Sequence, residues 1–435
     1  MKARFLLTPA LALAFSTVLF AEGPGYWPQW RGPSGQGYVT DSKVPLEWSE
    51  SKNLLWKTEL PGAGHSTPVI WGERLFLTCA NGNGSKRWVV CVNTGDGKIE
   101  WQHLAAEGIV EKTYQTNTHA SPSCVTDGEH VYAFFGTPGL FCYTLDGKLV
   151  WHHNFGIFTS ETGWGIGASP VLYENLVIQN CDNDGPNWLP PGKSPKDAAP
   201  ESLVALDKKT GEVVWQTPRN QGRGFSTPVL ISDSTGREQL VLNGPRGVWA
   251  YEPKSGKELW HCERHPDEDT QKFGEPLPLF NKSVMYAAAG RNSGFLQAIK
   301  LGGSGDLTSS GLVWEVRRKG IRDVGSGILA GDVLIYADKQ ATISAHDIKT
   351  GKQLYSMRTR GSTKAFYASP VMIKGKVLCL RQDGTTFVID PGPEYKLVRQ
   401  NLLSDGTDFS ASPAVADGKL FLRSQTHLYC IGEKN

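Results

Sequence analysis

The chain has 435 residues, enough for two or three domains of average size or for one large repetitive domain. Its composition is globular, with 39% hydrophobic and 20% charged residues, and 14 tryptophans against 4 methionines are typical of a β-rich rather than a helical protein. The formal net charge is +2 and the chain has no long basic run, so nothing in the composition points to a nucleic-acid partner.

The first 21 residues have the pattern of a secretory signal peptide. Basic residues precede an apolar segment that runs to about Phe20, and Ala21 is a suitable cleavage position. The segment is short for a membrane span, and the first cysteine that could carry a lipid is the distant Cys79. We therefore expect a soluble, exported protein, periplasmic or secreted, without a membrane anchor. Residues 22–52 would form an extension ahead of a single domain over residues 53–432.

One hairpin pattern recurs through this predicted domain. It is clearest at residues 203–215, where an apolar run is followed by a Lys-Thr-Gly turn and a second run that ends in Trp215. Glycine supplies the positive φ of a tight turn, and β-branched residues favour strands. In most copies a small residue such as Ala205 stands ten positions before the final aromatic residue. The copies end at Trp101, Trp151, Trp215, Trp260, Trp314 and Tyr355, with a degenerate copy near Val398.

A second signature, serine or threonine followed by proline and an apolar run, precedes each hairpin. Its copies are Thr67-Pro68, Ser121-Pro122, Ser169-Pro170, Thr227-Pro228, Ser369-Pro370 and Ser412-Pro413, with degenerate copies at Glu275-Pro276 and Ser326-Gly327. The mean spacing is about 49 residues, and a further strand lies between the two signatures, so each unit has four strands, A to D. Four-stranded repeats of this length predict a β-propeller in which strand A lines the central channel.

The number of signatures predicts how the ring is closed. Eight strand-A signatures are followed by only seven complete C–D hairpins, because the last unit, residues 412–432, lacks strand D. A spare strand stands at residues 53–60. We predict an all-β, eight-bladed propeller of four-stranded blades, in which this N-terminal strand supplies the outer strand of the last blade. The recurring aromatic residues are expected to fasten blade to blade: Trp56, Trp101, Trp151, Trp215, Trp260, Trp314 and Tyr355.

The register of the repeats also explains the positions of the cysteines. Cys91, Cys142 and Cys430 take the strand-C position that alanine or valine holds elsewhere, and Cys79 and Cys181 share a strand-B position. This pattern is typical of small buried hydrophobic residues, and no Cys-x-x-Cys pair supports a zinc site. Cys79 and Cys91 lie on neighbouring strands of one blade, so their disulfide state stays open.

The extra chain length is concentrated on one face of the predicted ring. The D–A connections and B–C loops emerge there and include the insertion 182–201, whereas the turns on the other face are short apart from 302–311. Binding residues concentrate on such loops, so we predict that the long-loop face is functional. The side chains expected around the channel mouth or on its loops are His65, Asn117, His119, Trp164, Arg223, Phe225, Arg246, Arg291, Asp323, Lys339, Phe366, Tyr367 and Arg381.

Two interpretations of this set stay open. Aromatic and charged groups together suit a polar ligand or a peptide, but loop side chains also plug channels and cap strand ends. The segment 182–185 begins like a calcium loop but lacks the later acidic ligand, and no Gly-x-Ser-x-Gly motif is present. The sequence therefore predicts no catalytic residue, no cofactor-binding residue and no metal ligand.

The hairpin resembles the repeat of the PQQ-type propeller family. The residues that carry this resemblance are Ala205, Asp207, Thr210, Gly211 and Trp215, in the pattern Ala-x-Asp-x-x-Thr-Gly-x-x-x-Trp. One branch of the family, the quinoprotein dehydrogenases, holds pyrroloquinoline quinone (PQQ) and calcium in the channel, but this chain lacks the vicinal cysteine pair typical of that branch. A non-enzymatic branch includes the propeller of the outer-membrane assembly complex, which this chain resembles in length and blade number.

The resemblance and the loops together lead to one expectation and two alternatives. We expect a monomeric, non-catalytic propeller that uses its long-loop face to bind a protein or a polar ligand of the cell envelope, and that needs no cofactor. The first alternative is an oxidoreductase dependent on PQQ and calcium. The second is a carbohydrate-binding propeller in which Trp164 and Trp188 contact sugars.

Overall fold

Eight antiparallel sheets are arranged as the blades of a propeller in the computed structural model. The structure describes residues 25–39, 43–109, 111–159, 163–183, 189, 192–222, 224–264, 274–289, 293–319 and 325–434. The predicted all-β, eight-bladed fold is confirmed. Within the described residues, a short 3₁₀ helix at Pro195–Asp197 interrupts the long insertion of the third blade.

Each blade runs outward from the channel, and the blades are numbered in chain order. Ahead of blade 1 lie β1 (Tyr26–Trp27), β2 (Tyr38–Val39) and β3 (Leu54–Glu59). Blade 1 consists of β4 (Val69–Trp71), β5 (Arg74–Ala80), β6 (Lys86–Asn93) and β7 (Ile99–Glu107), and blade 2 of β8 (Val125–Thr126), β9 (His130–Phe134), β10 (Leu140–Thr144) and β11 (Leu149–His153). Blade 3 consists of β12 (Val171–Tyr173), β13 (Leu176–Asn180), β14 (Ser202–Asp207) and β15 (Val213–Pro218), and blade 4 of β16 (Val229–Ser232), β17 (Glu238–Gly244), β18 (Gly247–Tyr251) and β19 (Glu258–Glu263).

The second half of the ring repeats this order with one insertion. Blade 5 consists of β20 (Leu279–Phe280), β21 (Val284–Ala289), β22 (Ser293–Lys300) and β24 (Leu312–Lys319); the inserted strand β23 (Gly305–Asp306) lies between β22 and β24 in the chain but joins the sheet of blade 4. Blade 6 consists of β25 (Ile328–Ala330), β26 (Val333–Ala337), β27 (Thr342–Asp347) and β28 (Gln353–Arg358), and blade 7 of β29 (Val371–Ile373), β30 (Lys376–Leu380), β31 (Thr385–Asp390) and β32 (Lys396–Leu402). Blade 8 consists of β33 (Ala414–Ala416), β34 (Lys419–Arg423) and β35 (His427–Ile431), completed by β3.

The outer hairpins share one register. In blade 3 Ala205 pairs directly with Trp215, and a β-bulge follows at once, so that Leu206 pairs with Val213. The same pairing joins a small residue to a tryptophan in blades 1, 2, 4 and 5 and, through Cys430 and Trp56, in blade 8. A β-bulge adds one unpaired residue to a strand, and this changes the direction in which a side chain next to it points. The repeat therefore fixes where each tryptophan points.

The degenerate hairpin of blade 7 keeps this bulge. Val388 pairs with Arg399 and the next residue, Ile389, pairs with Leu397, which leaves Val398 outside the ladder. The predicted end of this copy near Val398 is therefore one residue early. An arginine stands where other blades carry an aromatic ring.

The aromatic residue of a hairpin contacts the turn of the next blade. The Trp215 indole N–H donates to the Pro253 carbonyl oxygen at 3.1 Å, and its ring lies against Gly256, where a Cβ would come within 2.7 Å of the ring. Trp56, Trp101, Trp151 and Trp314 donate in the same way, at 2.9–3.2 Å, to the carbonyls of Thr94, Leu145, Lys208 and Ile348. Burying an aromatic ring at each interface while satisfying its N–H joins neighbouring blades.

Two of the aromatic positions use other contacts. Trp260 is fully buried and donates to the Gln239 side-chain oxygen at 2.6 Å within its own blade. The turn of blade 5 that would receive Trp260 is replaced by the insertion that carries β23. This strand pairs in parallel with β19, and Leu307 packs in the same hydrophobic cluster as Trp260. The Tyr355 ring meets the Tyr395 ring of blade 7 edge to face, with centroids 5.7 Å apart.

The ring is closed as predicted by strands from distant parts of the chain. β3 pairs antiparallel with β35 from Leu54–Ile431 to Glu59–His427, and the Gly432 N–H donates to the Asn53 carbonyl at 2.9 Å. In the other blades the C and D strands follow each other in the chain, with only the inserted strand β23 between them in blade 5.

All eight cysteines are buried and none forms a disulfide. Burial raises the pKa of the Cys79 thiol and, to about 12, that of Cys430, which keeps both thiols protonated. Across the described residues, no helix is long and apolar enough to span a bilayer.

Candidate functional site

The N-terminal segment closes the channel at the short-turn face. β1 pairs with β4 of blade 1, and the Pro28 carbonyl accepts the Thr126 N–H of blade 2 at 2.9 Å. Gln36 bonds to both Pro278 and Phe280 of blade 5, on the opposite side of the ring, and β2 pairs in parallel with β29 of blade 7. The segment thus crosses the bottom of the ring from one side to the other.

A buried arginine fastens this segment. The Arg31 guanidinium donates to the carbonyls of Gly35 and Gln36 on its own loop, at 3.2 and 2.7 Å. It also donates to Gly327 of blade 6 at 2.7 Å and Pro370 of blade 7 at 3.4 Å. Burial lowers the pKa of Arg31 to about 10, which still leaves it charged at neutral pH. One side chain therefore ties the segment to two blades.

Trp30, from the same segment, separates two cavities. The upper cavity, of about 190 Å³, lies inside the strand-A ring towards the long-loop face, and the lower cavity, of about 260 Å³, lies between blades 3–5 and the segment. Trp30 lines both. Trp30 therefore stands between the two cavities and forms the floor of the upper one, which we call the pit. Its wall consists of His65, Thr67, Thr116, Asn117, Ser121, Ser123, Trp164, Ile166, Gly167, Ser169, Phe225, Thr227, Glu275, Gly325, Lys339, Tyr367, Ser369, Ser410 and Ser412.

A ring of hydrogen bonds runs around the wall where each strand A begins. The backbone N–H at this position in one blade donates to the serine or threonine hydroxyl at the same position in the next blade, at 2.8–3.1 Å. We call these residues the hydroxyl girdle: Thr67, Ser123, Ser169, Thr227, Ser326, Ser369 and Ser412. Blade 5 has Leu277 at this position, so the girdle is interrupted once.

The girdle corrects the predicted register in two blades. The blade 2 residue is Ser123, not Ser121, since Ser123 accepts from Thr67 and donates to Ser169. The blade 5 residue is Leu277, two positions after Glu275. In blade 5 a second proline-containing pair, Leu277-Pro278, follows directly, and in blade 2 a serine stands on each side of Pro122, so the sequence pattern alone does not distinguish the two registers.

The cationic side of the pit is formed by blades 1, 6 and 8. Arg423 is fully buried and donates to the carbonyls of Ser66 and Thr78, at 3.0 and 2.8 Å, and no carboxylate of the described residues pairs with it. Burial and this charge lower the pKa of His65 to about 3, so His65 is neutral at physiological pH. The Lys339 ammonium lies 5.7 Å from the centre of the Tyr367 ring.

The structure brings six of the predicted mouth residues together in the pit. These are His65, Asn117, Trp164, Phe225, Lys339 and Tyr367. The Trp164 ring lies against Tyr114, with centroids 4.3 Å apart, and the Asn117 side chain donates to the Trp164 carbonyl at 2.7 Å.

Four other predicted residues lie outside the pit. His119 is buried against the Glu111 carbonyl, 2.8 Å from Nε2, and Phe366 is buried in the core against Phe387. Arg381 is 3% exposed and forms an ion pair with Asp383 at 2.8 Å, whereas Arg246 is exposed on a loop. Arg223, Arg291, Asp323 and Trp188 lie outside the described residues.

Sequence reasoning missed the floor and most of the wall. Trp30 belongs to the segment Trp27 to Pro33, whose composition has no counterpart in the repeats. That difference was the available signal that the segment has a separate role. The girdle hydroxyls were recognised as strand signatures but not as groups that line a cavity.

The fit of calcium and PQQ can be judged from the donor set. Within the described residues no three His, Cys, Asp or Glu side chains are placed to hold a metal ion. Glu275 is the single acidic residue among those described in the wall. Calcium takes about six to eight oxygen ligands, with several carboxylates in tight sites. The described residues of the wall therefore do not fit a site for calcium and PQQ.

The family of the chain follows from its sequence. The family model described as "Outer membrane protein assembly factor BamB" matches residues 34–179 and 198–307, more than half of the chain. The chain belongs to this family. A BamB of Burkholderia pseudomallei (strain K96243) is 25% identical over 197 residues, which cover 43% of this chain and 46% of that protein.

Another relative of this BamB-family chain is named as an enzyme. A polyvinylalcohol dehydrogenase of a Pseudomonas species is 21% identical over 361 residues, 71% of this chain and 53% of that protein. The chain thus spans about half the length of the curated relatives it matches.

Solved structures show the same fold at low identity. BamB from Moraxella catarrhalis superposes with a TM-score of 0.61 at 14% identity, over 88% of this chain and 98% of that one. A europium-containing methanol dehydrogenase gives 0.65 at 11% identity, over 95% and 99%. Both likenesses concern the fold alone.

Proposed function

We propose that this BamB-family propeller is an exported, non-catalytic binding protein of the cell envelope that captures a protein or a polar ligand through its long-loop face. One observation carries the proposal. Among the described residues, the N-terminal segment lies across the channel at the short-turn face, so the pit above Trp30 opens towards the long loops. A pit of this kind is a site for a group that enters from the long-loop face.

The groups near the entrance suit recognition. Trp164 rests on Tyr114 and is held by Asn117, and Lys339 lies over the Tyr367 ring. Rigid aromatic side chains with a few polar groups bind with a small loss of conformational entropy. A rigid entrance therefore favours binding by a preformed surface.

The comparisons support the same class of function. The family model and the Burkholderia pseudomallei relative are named outer membrane protein assembly factor BamB, which is a role among other proteins, and the Moraxella catarrhalis structure is of a BamB. An apolar N-terminal segment with the signal-peptide pattern agrees with export. Residues 1–24 lie outside the described part of the chain.

The proposal is tested by capture from an envelope extract. The double variant Lys339→Glu/Tyr367→Ala changes the entrance, and Lys209→Glu changes an exposed residue of a turn on the opposite face. We expect the first to lose the captured species seen with wild type and the second to retain them, with mass spectrometry as the readout. Unaltered far-UV circular dichroism shows that both variants fold. Equal capture by the two variants would refute the proposal.

The dehydrogenase alternative has its own test. The polyvinylalcohol dehydrogenase relative covers most of this chain, which keeps this activity worth measuring. Incubation with PQQ and calcium, followed by dye reduction with alcohols and sugars, is expected to give no turnover above a sample without protein. Sustained turnover would replace our proposal with an oxidoreductase.

A further inference from the structure

We propose that the pit is a binding site for a small carboxylate-bearing ligand. The inference rests on the proposed function only in taking the long-loop face as the entrance. It follows from counting hydrogen-bond donors and acceptors around the wall, and from the charges behind it.

The girdle hydroxyls accept hydrogen bonds and have unused protons. A hydroxyl has one donor proton and two lone pairs, and each girdle hydroxyl already accepts a backbone N–H. Within the described chain none of these hydroxyls donates to a protein acceptor, although Thr67 and Ser123 are only 1% and 2% exposed. For the six girdle residues that line the pit, all but Ser326, the unused proton is therefore available to a group in the pit.

The acceptors of the neighbouring loops are occupied. The loop carbonyls before strand A accept from side chains of the adjoining blade. Asn117 donates to Trp164 and Ile166 at 2.7 and 3.2 Å, and Asn180 donates to Gly224 and Ser226 at 3.0 and 3.1 Å.

The same arrangement is found in other blades. Asn243 donates to the Pro276 carbonyl at 2.9 Å, and Thr78 donates to Ala120 and Pro122 at 3.3 and 3.2 Å. Each girdle hydroxyl that lines the pit keeps one proton and at most one lone pair, and Lys339 adds donors and no acceptor, so the wall can serve a ligand that has only acceptors. A ligand rich in acceptors complements such a wall, and an ionised oxygen accepts more strongly than a neutral one.

The charges next to the wall favour an anion. Lys339 lines the pit, and Arg423 lies directly behind His65 without a carboxylate partner among the described residues. His65 itself is neutral, and its Nε2 is buried with no hydrogen-bond partner in the described chain. Glu275 is the opposing charge in the wall and has a contact of its own.

The volume limits the size of the ligand. A cavity of about 190 Å³ is smaller than the pockets of roughly 300–1,000 Å³ that hold drug-sized molecules. A short dicarboxylate fits this space, and so does the C-terminal carboxylate of a chain inserted from the long-loop face. The shared chemistry is the carboxylate, and the experiment separates the two sources.

The test is calorimetric titration of the whole protein at neutral pH and low salt. The probes are succinate, its diamide, and a short peptide with a free or an amidated C-terminus. We expect succinate or the free-acid peptide to bind at least about tenfold more tightly than its neutral counterpart, since each charge-assisted hydrogen bond is worth about that factor. Preference for succinate identifies a free metabolite-like ligand, and preference for the peptide acid identifies a chain terminus.

The girdle supplies a matched pair of variants. Ser169→Ala and Ser326→Ala each remove the acceptor of one backbone N–H, at 2.9 and 2.8 Å, but Ser169 lines the pit and Ser326 does not. Both are expected to lower the melting temperature alike, whereas only Ser169→Ala weakens carboxylate binding, by about five- to tenfold. Lys339→Gln is expected to weaken it and to reduce its salt dependence.

Three results would overturn the inference. They are equal affinity for acid and amide, no binding of any carboxylate probe, and equal weakening by Ser169→Ala and Ser326→Ala. Partner capture that persists while no carboxylate binds would remove this inference and leave the proposed function standing. Loss of capture by the entrance variant is a separate readout, so the two failures are distinguishable.

Discussion

A single tryptophan side chain joins two blades wherever the outer hairpin and the neighbouring turn are both regular. Trp215 is 9% exposed, donates to the Pro253 carbonyl and covers Gly256. Its loss would leave a cavity between blades and an unsatisfied carbonyl. Either effect alone is destabilising.

We therefore expect Trp215→Ala to lower the free energy of unfolding by about 3–5 kcal/mol. The matched control is Val214→Ala, because Val214 lies in the bulge and is 51% exposed, and its change should stay within about 0.5 kcal/mol. Urea unfolding followed by tryptophan fluorescence and circular dichroism measures both. A Trp215→Ala protein as stable as wild type would contradict the role of this residue between blades.

A buried histidine makes stability depend on pH. His346 is 1% exposed, and burial with the nearby Arg318 charge lowers its pKa to about 4. Its Nδ1 lies 3.1 Å from the Gly351 carbonyl, so this nitrogen carries the proton of the neutral ring. The unfolded chain binds a proton below about pH 6.5, but the folded chain does not until about pH 4.

Stability is therefore expected to fall as the pH drops from 6.5 towards 4. His346 contributes up to about 1.4 kcal/mol per pH unit to this slope. The difference in unfolding free energy between wild type and His346→Gln, measured in urea at several pH values, isolates this contribution. A difference that stays constant over the range would show that His346 titrates equally in both states.

The turn that receives each tryptophan depends on glycine for two separate reasons. Gly211 has φ +75°, and a Cβ there would lie 2.7 Å from the Trp151 ring. Gly375, in an A–B turn, has φ +69° and open space around it. The two positions separate backbone strain from steric overlap.

We expect Gly375→Ala to cost about 1 kcal/mol from backbone strain alone. Gly211→Ala should cost more, by a further 1–3 kcal/mol or so, because the Trp151 ring must move. Thermal unfolding of the two variants compares the costs directly. Equal costs would mean that the ring adjusts freely at the blade interface.

Local patterns made the elements predictable. The hairpin that ends at Trp215 follows from turn glycines and alternating residues, and its repetition predicted eight blades and the closing strand. The strand-A register failed in blade 2, where Ser121 and Ser123 flank one proline, and in blade 5, where Leu277 lacks the hydroxyl. In those blades only the contact with a neighbouring blade fixes the alignment.

The site was less predictable because it depends on long-range contacts. The partners of Arg31 in blades 6 and 7 stand about 300 residues away, so the unusual composition of the segment distinguishes it from the repeats but does not place it at the floor of the channel. Arg381 and Lys339 look alike as loop cations. Asp383 lies beside Arg381 and pairs with it, whereas Lys339 lines the pit, and only the structure shows this difference.

At the scale of the whole molecule, blade 8 differs from the others in how its strands are connected. Trp56 and Trp101 make the same contact with the next turn, through Thr94 and Leu145. Trp101, however, belongs to a continuous hairpin, whereas Trp56 lies on the strand that closes the ring.

We expect Trp56→Ala to increase hydrogen exchange at β3 and β35 selectively, because that pair can separate without breaking a hairpin. Trp101→Ala should leave the protection of β3 and β35 unchanged. Exchange measured by mass spectrometry on peptides from both regions makes the comparison. Equal protection of β3 and β35 in the two variants would show that the closing strand is no weaker than a hairpin.

The position of the closing strand in the chain also determines when blade 8 can form during synthesis. β3 leaves the ribosome roughly 370 residues before β35, its only partner in blade 8 among the described strands, and at about 5–20 residues per second this interval lasts on the order of half a minute. During that time an apolar strand has exposed edges, and edges of this kind recruit other chains. β35, the last of the described strands, completes blade 8, so contact between nascent copies before that point favours association through the unpaired edges of β3.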